Sequence, residues 1–252
     1  MSWIKKTYYK LISSKSSLVL KTDFDDHKAS IVISSFKRIP NVIRIVEEYL
    51  NYELLSEIII WHNGPEKLNV PFSDKKIRTI ESDDFGLASR YAAALLSSSD
   101  TVLLQDDDIV LPESSLNTIV RAKLEYPQKT ICIEGKVPHA DGTYGKTVKP
   151  KPGQKMDCDI HLNRLVCTNK EAVPAFFTFL HRTKLSLDPK AGGGEDIVYS
   201  YAITEKTGEK PLAVGVEFTN LESSNAISKR YGNQHANRTK IMNVCLETCI
   251  NK

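Results

Sequence analysis

Three consecutive carboxylates, Asp106, Asp107 and Asp108, follow the apolar run Thr101-Val102-Leu103-Leu104-Gln105 and precede Ile109-Val110-Leu111-Pro112. Adjacent acids at the end of a buried strand repel one another, and a cation set among them relieves the repulsion. A divalent metal holding a diphosphate suits such a place, because Mn2+ and Mg2+ take few carboxylates together with phosphate and water oxygens. The alternative is a solvated acidic turn. Strand side chains alternate in direction, so Asp106 and Asp108 share a side if the strand geometry continues, and both could then reach one metal. Asp107 would point elsewhere, within reach of a ribose hydroxyl.

Other residues could complete such a site. Arg90 lies in the Ala-rich stretch from Gly86 to Leu96, just before the acidic strand, where it could pair with a diphosphate or simply be a solvated helix residue. Gly192-Gly193-Gly194 delivers Glu195 and Asp196 to the start of an apolar helix. Acids there are favoured as dipole partners, but three glycines provide more backbone freedom than capping needs. A carboxylate facing a metal-bound diphosphate could act as a base or stabilise an oxocarbenium-like transition state. His235 and Arg238 sit in a late polar stretch, either surface decoration or a segment that closes over a phosphate.

The elements that must position these groups read as alternating strands and helices. Ala29 to Phe36 is β-rich, and Val42, Ile45, Val46, Tyr49 and Leu50 recur at helical spacing. Glu57 to Trp61 is a second strand, stopped by His62-Asn63-Gly64-Pro65, and Ile77 to Ile80 is a third. After Pro112 come a helix through Leu124, a strand at Thr130 to Ile133, a strand at Leu162 to Cys167, and an aromatic helix from Lys170 to His181. This order predicts an α/β chain with a mostly parallel central sheet flanked by helices. Ligands of such sheets bind beyond the carboxyl ends of the strands, so Arg38, Asn63, Asp84 and the acidic triplet are expected on one rim. Residues 138 to 153 lack periodicity and are expected to form a long functional or mobile loop.

A chain of 252 residues can hold one large α/β domain. Residues 1–28 read as a polar lead-in, and 29–252 as the domain, divided into halves 29–112 and 113–252. The formal net charge of +3 makes no global case for nucleic acid. Neither a signal peptide nor the roughly 20 apolar residues of a membrane span is visible, which predicts a soluble, cytoplasmic protein. Cys132, Cys158, Cys167, Cys245 and Cys249 form no Cys-x-x-Cys pair, so buried reduced thiols are expected.

Taken together, the chain resembles the nucleotide-sugar glycosyltransferases of the GT-A fold, and most closely the exostosin-like family. The resemblance spans roughly residues 30 to 248 and rests on Ile31-Val32-Ile33-Ser34-Ser35-Phe36 with Arg38, Ile59-Ile60-Trp61-His62-Asn63 and Ser89-Arg90-Tyr91. It continues through Gln105-Asp106-Asp107-Asp108 and Gly194-Glu195-Asp196-Ile197 to His235 with Arg238. It implies a single GT-A domain that uses Mn2+ or Mg2+ to transfer a sugar from a UDP-sugar to a glycan or glycoprotein, with retention of configuration. Ser35, Arg38, Asn63, Asp84, Arg90, Asp106, Asp107 and His235 would then serve the donor, and Asp108 with Asp106 the metal. Asp196, Glu195 and Arg238 would stand at the reaction centre. Family members often carry a Cys at the positions of Gly194 and Ile241, and both are absent here together. The sequence leaves open an inverting reaction, a nucleotidyltransferase using a nucleoside triphosphate, and a non-catalytic nucleotide- or glycan-binding module.

Overall fold

The computed structural model describes residues 27–187, 193–222 and 234–250. The expected lead-in lies outside them except for His27 and Lys28, as do Gly192 and residues 228–233. The first β-rich run forms β1 (Ala29–Ser35), and α1 (Ile39–Tyr49) follows with Pro40 in its first turn, where a missing N–H costs no hydrogen bond. Val42, Ile45, Val46 and Tyr49 are all buried, as their spacing requires. Next come β2 (Leu55–His62), β3 (Ile77–Glu81), the short α2 (Ser89–Leu95) and β4 (Thr101–Asp106). After a turn at Asp107-Asp108, β5 (Ile109–Val110) leads into α3 (Glu113–Glu125). A series of short strands follows: β6 (Ile131–Cys132), β7 (Gly135–Val137), β8 (Lys146–Val148), β9 (Lys155–Asp157), β10 (Ile160–His161) and β11 (Leu165–Asn169). The remaining described elements are a 3-10 turn (Lys170–Ala172) at the start of the expected aromatic helix, α4 (Pro174–Thr183), α5 (Glu195–Thr207), β12 (Leu212–Val214), β13 (Thr219–Asn220) and α6 (Gln234–Ile250).

Eight strands form one sheet in the order β3-β2-β1-β4-β11-β6-β12-β9. The segment β3-β2-β1-β4 is parallel, as expected for alternating strands and helices. Beyond β4 the sheet is mixed. β11 runs antiparallel to both β4 and β6, β12 is parallel to β6, and β9 is antiparallel to β12. The apolar run around Val166 marks a buried strand but carries no signal of direction, so the reversal was not readable. The result is an α/β chain with a large mixed sheet flanked by helices, compatible with a Rossmann-like arrangement.

Both faces of the sheet are covered. Ile31, Ile33 and Leu103 join one core with α1 and α3, while Val32, Val102 and Leu104 join a second with α2, α4, α5 and α6. The alternation is the period-two geometry of a strand buried on both sides. The expected loop at 138–153 contains β8, which pairs with β7 in a small sheet β10-β7-β8. Its Gly, Pro and Lys content hid a short, half-exposed strand. Cys132, Cys158, Cys167 and Cys245 are buried free thiols. Among the described residues no helix is long and apolar enough to cross a membrane.

Candidate active site

The parallel register sets Ser35 beside His62, His62 beside Glu81, and Ser34 beside Asp106, so these strands end on one rim. Strand geometry stops at Asp106, and Asp107-Asp108 form a turn. The assumption that put Asp106 and Asp108 on one side of a continuing strand therefore does not hold. Instead the turn is fixed from below. Gln105 Nε2 donates to the Ile109 carbonyl at 3.0 Å, bridging the turn, and Tyr49 Oη donates to Gln105 Oε1 at 2.8 Å while accepting from Leu111 N at 3.1 Å. Asn41 Nδ2 donates to the Asp107 carbonyl at 2.8 Å, and the Leu221 amide donates to the Asp108 carbonyl at 2.7 Å. Buried hydrogen bonds of this kind hold a loop in one conformation before any ligand arrives.

Each acid of the triplet faces a guanidinium. Arg90 Nη1 is 2.8 Å from Asp106 Oδ1, Arg38 Nη2 donates to Asp107 Oδ1, and Arg164 Nε lies 3.5 Å from Asp108 Oδ1. Arg38 Nη1 is also 3.9 Å from Asp108 Oδ2. Burial raises the Asp107 carboxyl to about 6 despite Arg38, and burial together with Asp106 raises that of Asp108 against the pull of Arg164 and Arg38. Asp108 Oδ1 and Arg38 Nη1 are buried atoms without a hydrogen-bond partner among the described residues. The 3.5 Å approach of Arg164 is thus an ionic contact and not a hydrogen bond.

A buried relay joins this turn to the second acidic pair. Arg90 is 1 % exposed; its Nε donates to the Leu87 carbonyl at 3.1 Å and its Nη1 to the Asn163 carbonyl at 3.4 Å. Asn163 Nδ2 then donates to Glu195 Oε1 at 3.1 Å, and Tyr91 Oη donates to the Glu195 carbonyl at 3.3 Å. Burial opposes the charge on Arg90, but Asp106 and Glu195 outweigh it and raise the pKa. The Glu195 carboxyl is itself pushed up, first by burial and then by Asp196.

Glycine is required where these acids enter α5. Gly194 has φ +109°, and a Cβ on it would stand 2.6 Å from Ile241 Cδ1. Asp196, 3 % exposed, accepts from Arg238 Nη1 at both carboxylate oxygens, at 3.1 and 2.8 Å. The same nitrogen donates to Tyr144 Oη at 3.1 Å, and the guanidinium lies 5.4 Å from the Tyr144 ring centre. Lys136 lies over the same ring at 5.4 Å, and burial followed by Arg238 lowers its pKa.

The remaining expected residues divide. Asn63 Nδ2 donates to Asp84 Oδ1 at 3.4 Å and to the Gly86 carbonyl at 3.3 Å, so Asn63 and Asp84 are together on the rim beside α2. Ser35 is buried with its hydroxyl 2.8 Å from His62 Nδ1, turned toward the protein. Arg38 is directed to the acidic turn. His235 is exposed, with its ring 6.0 Å from that of Tyr144. Arg238 belongs to α6 and not to an irregular segment; residues 223–233, before that helix, are outside those described. Asn163, Arg164, Tyr144 and the turn-fixing pair Gln105 and Tyr49 were missed. Only strand pairing reveals the first two: the reversal of β11 brings its start beside the end of β4, with the Asp106 amide donating to the Arg164 carbonyl at 3.2 Å.

Among the described residues no three His, Cys, Asp or Glu side chains group as a metal cage. A cation held by one or two carboxylates and a diphosphate needs no such cage, and the unpartnered oxygen of Asp108 with Asp106 nearby fits that lesser requirement. Compared with known proteins, the chain matches no family model and no curated protein.

Proposed function

We propose that the chain is a metal-dependent glycosyltransferase that moves a sugar from a UDP-sugar to a hydroxyl of a glycan or glycoprotein, with retention of configuration. The observation that carries the reading is the relay from Asp106 through Arg90 and Asn163 to Glu195, which joins a rigid acidic turn to a second carboxylate pair in one strand-end site. A divided site of this kind suits a donor held at one end and reacting at the other. Gly194 and Ile241, which stand where family members often carry cysteines, are also neighbours, a Cβ on Gly194 standing 2.6 Å from Ile241 Cδ1.

Bound through Asp108 and near Asp106, Mn2+ or Mg2+ would draw charge from the leaving diphosphate. Arg38 and Asp107 orient the nucleoside end, with Asn63 and Asp84 farther along the rim. Arg238, fixed between Asp196 and Tyr144, supplies a cation for the departing diphosphate. Asp196 stabilises positive charge developing at the anomeric carbon. Both its oxygens are engaged by Arg238, an arrangement that favours charge stabilisation over deprotonation of an acceptor and so supports retention. Glu195 and Arg90 hold the two halves at fixed separation.

Incubation with a panel of UDP-sugars and Mn2+, scored for released UDP, tests the reading. Metal-dependent UDP release with one donor is expected. Affinity without turnover would make the chain a binding module, and pyrophosphate release from a nucleoside triphosphate would make it a nucleotidyltransferase.

A further inference from the structure

Arg164 has more partners than a surface arginine needs. Its Nη2 donates to Asn220 Oδ1 at 2.6 Å, its Nη1 to Glu134 Oε1 at 3.2 Å, and its guanidinium stacks 4.9 Å from the Phe218 ring centre. Glu134 is held a second time by Lys149 at 2.7 Å. Against these, the contact with Asp108 is the longest polar one, at 3.5 Å, and it leaves Asp108 Oδ1 without a hydrogen bond. A buried carboxylate oxygen without a donor is costly, and a guanidinium fixed elsewhere cannot swing in to satisfy it. Nearby, Asn163 Oδ1 is also buried and unpartnered among the described residues, although Asn163 Nδ2 is bonded to Glu195.

We propose that Arg164 is a resident counter-cation of the acidic turn, held off Asp108 by Glu134, Asn220 and Phe218, which makes occupancy of Asp108 by a divalent cation depend on a diphosphate. This rests on the metal reading of Asp108 given above. A divalent ion on Asp108 Oδ1 stands beside the fixed positive charge of Arg164, and like charges a few ångströms apart weaken binding of the ion alone. A diphosphate supplies the anions that offset both cations. Metal and nucleotide then bind together better than either does separately, a positive coupling written into one side chain. Removing the charge while keeping an apolar side chain of similar length lifts the repulsion.

The test is titration of the full chain with Mn2+, following free Mn2+ by electron paramagnetic resonance, with and without UDP. Arg164→Met is expected to bind Mn2+ alone about tenfold more tightly than wild type, and the enhancement by UDP to shrink by a similar factor. Arg164→Lys, which keeps the charge, stays close to wild type. Glu134→Gln frees the guanidinium to engage Asp108 and weakens binding of Mn2+ alone, so an opposite-direction check survives if Arg164→Met does not fold. Unchanged or weaker Mn2+ binding in Arg164→Met, or tighter binding in Glu134→Gln, overturns the proposal while leaving the metal reading intact. If Mn2+ binds to no variant and not to wild type, with or without UDP, the metal reading fails and takes the proposal with it.

Discussion

Arg90→Met removes the charge that joins the two acidic groups while nearly preserving side-chain length. Arg90 is 1 % exposed, whereas the Asp106 side chain is 29 % exposed. Breaking a buried ion pair by deleting one partner costs about 3–5 kcal/mol. Asp106 recovers some hydration through its exposed edge, so the loss belongs at the lower end, about 3 kcal/mol. Glu195, fully enclosed, loses a compensating cation, and its already raised carboxyl rises further. A carboxylate with a raised folded-state pKa destabilises the fold when ionised, and the deficit is regained as pH falls and the folded form takes up the proton. Arg90→Met is therefore expected to lose about 3 kcal/mol near pH 7.5 and less near pH 5.5, read from urea unfolding. Adding Asp106→Asn to Arg90→Met should return about 1 kcal/mol or more relative to additivity. An additive double variant with a pH-independent deficit would refute the reasoning and reduce Arg90 to a space filler.

Gly194→Ala is expected to cost about 1–3 kcal/mol from its left-handed backbone alone, and more from contact with Ile241; Ile241→Ala should restore the second part but not the first, measured by thermal unfolding. Asp107→Asn tests the carboxyl that burial raises from 3.8 to about 6. With the folded value above the unfolded one, the native state holds the extra proton between them, so wild-type stability falls as pH rises from about 4 to about 6. The two units are worth about 3 kcal/mol, and the difference between wild type and variant should follow that slope in melting curves from pH 4 to 7.5. Asp108→Ala is expected to abolish Mn2+-dependent UDP binding, and unchanged calorimetric affinity with Mn2+ present would remove it from the metal site. Asp196→Asn should keep UDP binding and lose transfer, and full transfer would exclude Asp196 from the chemistry.

The parallel half of the fold was legible because β1, β2 and β4 carry apolar runs buried on both faces and end in polar or acidic residues. Periodicity marked α1, although the helix starts at Ile39, ahead of the apolar pattern, and ends at Tyr49, and the order of strands set Arg38, Asn63, Asp84 and Asp106 on one rim. Glycines announced the entrance to α5 because an αL backbone leaves few other choices. The second half was less legible. β6 was marked by its apolar run, but β10 and β12 are two or three residues long, too short for a pattern, and β8 lies in a Lys- and Gly-rich stretch. Asn163 and Arg164 depend on which strand β11 pairs with and in which direction, information that is not local. Ser35 ends β1 on the rim, with its hydroxyl bonded to His62 across the strand pair, a contact that only the register of β1 and β2 reveals.

The reversal of β11 separates what varies from what acts. In a parallel sheet every residue on this rim follows a strand, and its position is set by a loop. Asn163 and Arg164 precede a strand instead, and the ladder pairing Leu165 with Gln105 fixes them against the acidic turn. Insertions or deletions in residues 138–153 therefore leave the backbone of these two residues where it is, because the sheet measures its position from β4 and not from the loop. Only the ladder-fixed backbone is independent of that stretch: Tyr144 within it holds Arg238 and Lys149 within it holds Glu134, so changes there act on the charged groups through these two side chains while the strand start stays in place.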